Sequence, residues 1–505
     1  MPVRIFSAGS LGLETKVIEI EIETSFGLRH FEIVGLPDKA VQESKERIGV
    51  AIENSGFKPP HKKPQRVLVS LAPADLKKEG SLYDLPIALG YLLAEKEIKF
   101  NPQRKLILGE LGLDGKLRPI KGAVLFSILT KEKGFSEIIL PKENEIEASL
   151  IKGIKIVGVN SLKEAVEYLE GKREIKKQNS FSLKENEMKR EEVDFSWIKG
   201  QKSAKRALEI AAAGGHNVLM IGPPGTGKSL LSKALISILP PLSFKECLEV
   251  TKIYSLAGFL SKEKPIISER PFRSPHHTCS EVALIGGGNP PRPGEISLAH
   301  KGILFLDEFP EFHRDVLESL RQPLENGEIT ISRAKISITL PASFTLVAAS
   351  NPCPCGNYGS FDKECKCTSS QIRKYQRKLS GPIIDRIDLL VRVPNLNYEK
   401  LIKEGEEKSK EIRKRVIEAR EIQRKRLGED KTNSQIKIPE IKKYCQIDSK
   451  GEKILKKAID SGKLSVRGYH RVLKVARTIA DLEGSENIFF SHLAEALSYR
   501  VREIV

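Results

Sequence analysis

The stretch that most constrains the fold of this 505-residue chain is VLMIGPPGTGKSLLSKAL, at residues 218–235. It joins an apolar, strand-like run to a helix-like run through a glycine-rich loop of pattern Gly-x4-Gly-Lys-Ser. Glycines let such a loop wrap a phosphate chain with its backbone N–H groups pointing inward, and the N-terminus of the following helix adds a favourable dipole. The pattern therefore predicts a nucleotide-binding α/β domain.

Two residues of this loop receive specific roles. Lys228 is expected to reach the β- and γ-phosphates of ATP, and Ser229 is expected to ligate Mg²⁺. Lys228 is therefore counted among the catalytic residues. The full set of predicted nucleotide-binding residues is Gly222, Pro223, Pro224, Gly225, Thr226, Gly227, Lys228, Ser229 and Leu230.

A second apolar run, KGILFLDEF, ends in two acids. A buried strand at this point would deliver Asp307 to the metal ion and Glu308 to the attacking water, which the carboxylate polarises. Together with the phosphate loop, the two acids indicate ATP hydrolysis rather than nucleotide binding alone.

Two further polar residues have positions that suit nucleotide sensing. The next apolar run, FTLVAASN, ends at Asn351, whose amide can orient the lytic water or sense the γ-phosphate. Arg386 occupies a short loop between apolar segments, where it could stabilise charge on ATP bound to a neighbouring subunit. An ion pair of Arg386 with Asp385 or Asp388 is the alternative interpretation.

A third arginine is predicted from the helical segment SVRGYHRVLKVART, which carries Arg467, Arg471 and Lys474 on one stripe. Arg467 lies at the start of this helix and is our choice for the arginine that senses nucleotide. Arg471 is the alternative.

The chain divides by composition into four parts. Residues 1–170 alternate β-rich runs such as TKVIEIEIET and PQRVLVSLAP with helical stretches such as DKAVQESKERIGVAIENSG. Residues 171–192 are charged and poor in apolar side chains, which is typical of a linker. Residues 193–394 hold the nucleotide motifs, and residues 395–505 have a helical pattern.

The charge balance bears on the partner. The chain has 84 Lys and Arg residues against 66 Asp and Glu residues, a net charge of +18. Such a surplus favours a polyanionic partner, nucleic acid rather than a membrane, although lysine-rich runs are also typical of solvated helix faces. Without an evident signal peptide or a run of about 20 apolar residues, we expect a cytoplasmic protein.

At this point the order of the motifs is recognisable. The segments RPFRSPHHTCSEVALIGGGNPPRPGEISLAHKGILFLDEFPEF and LRQPLENGEITISRAKISITLPASFTLVAASNPCPCG closely resemble the YifB/ComM family of magnesium-chelatase-like AAA+ ATPases. The N-terminal segments GLPDKAVQESKERIGVAIENSGF and SLAPADLKKEGSLYDLPIALGYLLA extend the resemblance over essentially the whole chain. It implies an α/β protein with a Lon-protease-like α+β N-terminal domain, an AAA+ core and a C-terminal α-helical lid.

The resemblance also implies a hexameric DNA motor with two insertions that face a central channel. One insertion would lie at 276–297, where His276 and His277 could act as channel-loop residues, as hydrogen-bonding residues or as metal ligands. The other would be a hairpin over EITISRAKISITL, whose basic tip offers Arg333 and Lys335 for DNA phosphates. A solvated hairpin without a DNA contact is the alternative.

The N-terminal region resembles the proteolytic domain of Lon peptidases. The positions that match the catalytic serine and lysine of those enzymes fall near Leu82 and Val124, which cannot form an acyl-enzyme. A shifted dyad of Ser81 and Lys121 is left open. We expect a Lon-like fold without peptidase activity, serving DNA binding or assembly.

Four of the seven cysteines form the pattern C-x-C-x9-C-x-C: Cys353, Cys355, Cys365 and Cys367. Four thiolates in two close pairs suit tetrahedral Zn²⁺, and a filled ligand set would make the zinc structural. Reduced cysteines without a metal, and a redox or iron–sulfur site, are the alternatives.

The favoured function is an ATP-dependent DNA translocase or helicase that promotes branch migration in recombination or natural transformation. A chelatase-type motor subunit that remodels a metal-inserting partner enzyme is the alternative, because the ATPase motifs alone fit both. An ATP-dependent protease is a third hypothesis that depends on Ser81.

Overall fold

The computed structural model describes residues 2–500 except Asp75, Glu79, 176–192, Lys262, 289–290, 334–335, 360–362, 379–382, 397–405, Asp430 and Lys463. Side chains are not described at positions 333 and 336. The described residues form two compact units. One draws on residues 1–185 and 244–267, and the other on residues 186–243 and 268–505.

The elements of the first 175 residues are, in chain order, β1 Val3–Leu11, β2 Glu14–Phe26, β3 His30–Val34, α1 Lys39–Asn54, β4 Gln65–Ala72, α2 Asp84–Ala94, β5 Lys105–Ile107, β6 Glu110–Leu111, β7 Leu117–Arg118, α3 Ala123–Glu132, β8 Glu137–Pro141, α4 Glu145–Ala148, β9 Lys155–Val159 and α5 Leu162–Leu169. The strand predictions for TKVIEIEIET and PQRVLVSLAP are confirmed by β2 and β4, and the helix prediction by α1.

A seven-stranded sheet organises the first unit, in the order β3-β4-β2-β1-β5-β8-β9. The β1–β2 and β2–β4 pairs are antiparallel, whereas the other neighbours are parallel. Strand β4 alternates buried residues with more exposed ones, so the sheet buries one face of this strand. Helix α2 is buried along almost its whole length and packs on β1 and β2.

From residue 193 the elements are α6 Lys202–Gly214, β10 Val218–Ile221, α7 Lys228–Ile238, α8 Phe244–Ala257, β11 Phe272–Arg273, α9 Glu281–Ile285, β12 Gly286–Gly287, β13 Arg292–Pro293, α10 Glu295–Leu298, β14 Ile303–Leu306, α11 Arg314–Glu318, α12 Arg321–Asn326, β15 Glu328–Arg333, β16 Ile336–Pro341, β17 Thr345–Ser350, α13 Ser369–Lys378, β18 Leu389–Arg392, α14 Ser409–Leu427, α15 Ile438–Tyr444, α16 Ser449–Asp460, α17 Val466–Leu482 and α18 Phe490–Ser498.

Helix α8 packs within the first unit, although its sequence lies among the nucleotide motifs. It contacts α3, and the Ser255 hydroxyl accepts a hydrogen bond of 2.9 Å from the Gly122 N–H. The same hydroxyl donates to the carboxylate of Glu147, a buried residue whose pKa is raised by burial. The sequence-based division placed this helix in region 193–394.

The second unit contains a parallel sheet of five strands, in the order β11-β14-β17-β10-β18. Every residue of β14 is buried, as expected for a parallel strand covered on both faces. The α/β core predicted from the phosphate loop is therefore confirmed.

The C-terminal helices share the hydrophobic core of this second unit. Helices α14 and α17 pack on α6, and the buried residues Val416 and Ile479 belong to the same apolar cluster as Val218 of β10. The predicted helical character of the C-terminal region is confirmed, whereas its role as a lid stays a prediction.

Candidate functional site

Three adjacent strands of the parallel sheet lead into the predicted catalytic residues. Strand β10 runs into the phosphate loop, β14 ends just before Asp307 and Glu308, and β17 ends just before Asn351. Strand β17 lies between the other two. Because the carboxyl ends of parallel strands meet at one edge of a sheet, these residues are brought to one site.

The side chain of Lys228 is folded back onto its own loop. Its Nζ donates to the carbonyl oxygens of Gly222 at 2.6 Å and Pro223 at 2.7 Å, and it lies 3.4 Å from Oδ1 of Asn351. Burial lowers the pKa of Lys228, while the carboxylate of Asp307 acts in the opposite direction. A phosphate group in the pocket would offer this ammonium group a charged and therefore stronger acceptor.

The two predicted Mg²⁺ ligands are in direct contact. The Ser229 hydroxyl donates to Oδ2 of Asp307 at 2.7 Å, and Oδ1 of Asp307 accepts from the N–H of Glu308 at 2.9 Å. A hydroxyl and a carboxylate oxygen at this separation suit Mg²⁺, which takes few protein ligands and completes its shell with phosphate and water. The residues present therefore fit the ion.

A histidine contacts the predicted catalytic glutamate. Nδ1 of His277 lies 3.0 Å from Oε2 of Glu308, and the His277 ring packs against His276 with centroids 4.2 Å apart. His277 thus lies within ion-pair distance of Glu308, and the roles expected for it from the sequence stay predictions. The sequence missed this contact because β11, the strand that carries the segment to the site, is only two residues long.

These residues line one cavity of about 580 Å³. The phosphate loop, the two acids and Asn351 supply most of its wall, and Ser274, Pro275, His276 and His277 supply the rest. Of the predicted nucleotide-binding residues, Gly222 and Pro223 contribute through the carbonyl groups that hold Lys228. The cavity has the size of an ordinary small-ligand site.

Arg386 lies away from this cavity, in a short helical turn before β18. Its side chain is largely buried and forms an ion pair with Glu325, which is half exposed. Its backbone carbonyl accepts a hydrogen bond of 3.1 Å from the amide of Asn217.

The two lid arginines differ in their surroundings. Arg467, in the first turn of α17, is exposed. Arg471 forms an ion pair with Asp388 and donates to the carbonyl oxygen of Arg386 at 3.1 Å. Burial alone would raise the pKa of Asp388, but Arg471 and His216 hold that pKa well below its usual range.

The predicted hairpin is confirmed as a structural element. Strands β15 and β16 pair antiparallel, with Arg333 opposite Ile336, so the connection has two residues. Lys335 lies outside the described residues, and the side chain of Arg333 is not described. The DNA contact stays a prediction.

The four cysteine sulfurs form one cluster, in which all lie within 4.8 Å of one another. Sγ of Cys353 is 3.4 Å from Sγ of Cys355 and 3.7 Å from Sγ of Cys365, and the latter two sulfurs are 3.6 Å apart. Tetrahedral Zn²⁺, with bonds of about 2.3 Å, places its sulfur ligands about 3.8 Å apart. The cluster therefore fits the ion, with Cys367 as the fourth ligand.

In the first unit, the Ser81 hydroxyl donates to the carboxylate of Glu110. The side chain of Lys121 lies against Gly258. A serine–lysine dyad would need the lysine amine at the serine hydroxyl, and neither of these contacts supplies it.

Known proteins resemble this chain in sequence along nearly its whole length. Three family models match: "Subunit ChlI of Mg-chelatase" at 20–144, "Magnesium chelatase, subunit ChlI" at 194–401, and "Magnesium chelatase, subunit ChlI C-terminal" at 406–500. Competence protein ComM of Haemophilus influenzae is 44% identical over 504 residues, which cover 98% of this chain and 97% of ComM. The chain belongs to the YifB/ComM family of magnesium-chelatase-like proteins.

Two further relatives are a second member of the YifB/ComM family and a magnesium-chelatase subunit. YifB of Escherichia coli is 42% identical over 98% of this chain and 96% of its own length. The magnesium-chelatase 38 kDa subunit of Rhodobacter capsulatus is 27% identical over 61% of this chain and 87% of that subunit. The magnesium-chelatase-like family belongs to the AAA+ ATPases, which agrees with the ATP hydrolysis indicated by the motifs.

No helix among the described residues is both long enough and apolar enough to cross a bilayer.

Proposed function

We propose that this protein is an ATP-driven DNA translocase that works as a homohexameric ring and promotes branch migration in recombination or natural transformation. The observation that carries the ATPase part is the single sheet edge that joins Lys228, the Ser229–Asp307 pair, Glu308 and Asn351. ATP would bind with its phosphates at the loop. Bound Mg²⁺, when present, would neutralise phosphate charge.

Each residue then has a role in the reaction. Lys228 binds the β- and γ-phosphates, while Ser229 and Asp307 hold the metal ion. Glu308 orients the attacking water and accepts its proton, and Asn351 positions the γ-phosphate or the water. Arg386 of one subunit would act on the ATP of its neighbour, and Arg467 would sense the nucleotide from the helical region.

Two observations support DNA as the substrate. The likeness to a competence protein covers nearly the whole of both chains. The net charge of +18 suits a phosphate backbone, and Arg333, the last residue of β15, is proposed with Lys335 to contact DNA phosphates. In the same proposal residues 1–170 form a Lon-like platform without peptidase activity, 171–192 a linker and 395–505 a lid. The four-cysteine cluster holds a structural zinc, and the ring works in the cytoplasm.

Measurement of ATP hydrolysis with and without single-stranded, forked and branched DNA tests this proposal. We expect DNA to stimulate hydrolysis, and we expect Lys228→Ala and Glu308→Gln to abolish it. Glu308→Gln should still bind ATP because it changes only the group that activates water.

A second candidate, a chelatase-type motor subunit, is favoured by the three family models that carry the chelatase subunit's description. An ATPase that ignores DNA but responds to a partner protein would support it.

A further inference from the structure

The turn between the first two cysteines and the second pair lies directly against the nucleotide site. Gly356, whose φ is +81°, packs so closely that a Cβ atom there would stand 2.7 Å from Cδ of Pro224 in the phosphate loop. The same Cβ would lie 3.9 Å from Cγ of Asn351. A separation of 2.7 Å is well inside van der Waals contact, so this turn and the phosphate loop fit together without spare room.

The turn is closed by its own backbone. The Gly356 N–H donates to the carbonyl oxygen of Cys353 at 3.0 Å, which fixes Gly356 relative to this cysteine. Cys353 is fully buried, and its sulfur accepts from the Tyr358 N–H at 3.3 Å. The position of Gly356 against Pro224 therefore depends on the positions of Cys353 and Cys355.

The cluster ties this turn to a distant part of the loop. Cys365 brings its sulfur to within 3.7 Å of Cys353 and 3.6 Å of Cys355. Four thiolates without a metal would repel one another at these distances, whereas one Zn²⁺ neutralises half of their charge and fixes their separation. The Tyr358 N–H that donates to the Cys353 sulfur is an outer-shell donor of the kind found around metal-bound thiolates.

We infer that Zn²⁺ bound by Cys353, Cys355, Cys365 and Cys367 clamps the Gly356 turn against Pro224 and Asn351, and so sets the affinity of the phosphate loop for ATP. Thiol protons leave to solvent as the metal binds. The inference rests on the proposed ATP site and goes beyond it, because it makes nucleotide binding depend on a metal that does not touch the nucleotide.

The test uses the full-length protein, in which the zinc content and the dissociation constant for a fluorescent ATP analogue are measured on the same sample at millimolar Mg²⁺. We expect one zinc per chain as purified. Removing it with a zinc-selective chelator, or with the double variant Cys355→Ser/Cys365→Ser, should weaken binding about tenfold. Adding Zn²⁺ back to the chelated wild type should restore the affinity.

A matched pair of glycine variants separates the effect of the contact between Gly356 and Pro224 from the effect of zinc on ATP affinity. Gly356→Ala pushes a methyl group into Pro224 and should weaken ATP binding about tenfold while zinc stays bound. Gly359→Ala, in the same loop with a φ of +72° and open space around its Cβ, carries the same backbone strain and should leave the affinity unchanged.

Protein that carries no zinc, or an affinity that stays the same after zinc removal and in Gly356→Ala, would overturn the inference while leaving the ATP site intact. Zinc-loaded wild type that binds no ATP would instead defeat the proposed function. A loss of ATP affinity in Gly359→Ala equal to that in Gly356→Ala would also overturn the zinc inference, because general strain in the loop would then explain both losses.

Discussion

Oε2 of Glu308, the proposed catalytic base, lies 3.0 Å from Nδ1 of His277. The contact occupies one oxygen of the carboxylate that is proposed to accept a proton from the attacking water. Glu308 also has a φ of +50°, a backbone conformation that few side-chain-bearing residues adopt. The contact with His277 and this backbone conformation both restrain the Glu308 side chain.

We expect His277→Ala to raise ATP hydrolysis without DNA. The pair is partly exposed to solvent, so its release should increase the basal rate only about two- to fivefold. Steady-state phosphate release measures the effect. His276→Ala is the control, because the His276 ring packs against His277 while its Nδ1 contacts the Thr278 hydroxyl at 2.8 Å instead of Glu308. A fall in rate close to that of Glu308→Gln would show that His277 positions the base instead.

The hydroxyl of Ser229 should be needed for Mg²⁺ binding. Its contact with Asp307 at 2.7 Å places both groups where they can hold Mg²⁺. We expect Ser229→Ala to raise the Mg²⁺ concentration needed for half-maximal hydrolysis about 10- to 100-fold. Ser229→Thr retains the hydroxyl and should stay close to wild type. Equal Mg²⁺ dependence in all three proteins would argue against a metal-ligating role.

Arg386 is expected to act between subunits. Arg386→Ala should lower ATP hydrolysis about 10³-fold if it stabilises charge on a neighbour's γ-phosphate. Mixing Arg386→Ala protein with Lys228→Ala protein should restore activity, because the first variant keeps an intact ATP site and the second keeps Arg386. Random mixing in a ring leaves about a quarter of the sites complete.

The ion pair with Glu325 provides the control for this experiment. Glu325→Ala removes the pair but keeps the arginine, and it should retain hydrolysis. Failure of the mixture to recover activity would assign Arg386 a role within its own subunit.

Substitution of Arg467 should affect ATP hydrolysis, whereas substitution of Arg471 should affect stability. Arg467 is exposed, so Arg467→Ala should slow hydrolysis without changing the unfolding midpoint. Arg471→Ala leaves the buried carboxylate of Asp388 without its arginine partner and should lower the free energy of unfolding by about 2–3 kcal/mol at pH 7. Thermal unfolding followed by circular dichroism compares the variants.

The pH dependence of that loss has a definite sign. The pKa of Asp388 is held low in the folded protein, so the pair stabilises the fold above the unfolded carboxyl pKa of about 3.9. As pH falls below this value the unfolded state takes up the proton first and the contribution disappears. The difference between wild type and Arg471→Ala should therefore shrink below about pH 4. A difference that grows on acidification would contradict the assignment.

The phosphate-site geometry followed from the sequence because strand, loop and helix are consecutive there. Asp307 and Asn351 could be placed beside Lys228 because each ends an apolar run, and parallel strands share an edge. The contact between His277 and Glu308 could not be predicted from the sequence. His277 follows a strand of only two residues, and no apolar run marks its position. Spacing alone also could not show that Gly356 would meet Pro224.

The first unit shows a second limit of sequence reasoning. Helix α8 follows the phosphate-site helix in the chain, so its position suggested one continuous domain. Its buried residues instead pack with the first unit, where Ser255 meets Glu147. Apolar periodicity shows that a helix buries a face, but it does not show which core receives that face.

The measurement that tests the central claim most directly is ATP-dependent branch migration and strand displacement on labelled DNA, with wild type beside Lys228→Ala and Arg333→Ala. We expect wild type to move the branch, Lys228→Ala to be inactive, and Arg333→Ala to keep ATP hydrolysis while losing the DNA work. An active wild-type ATPase that neither responds to DNA nor moves a branch would contradict the account.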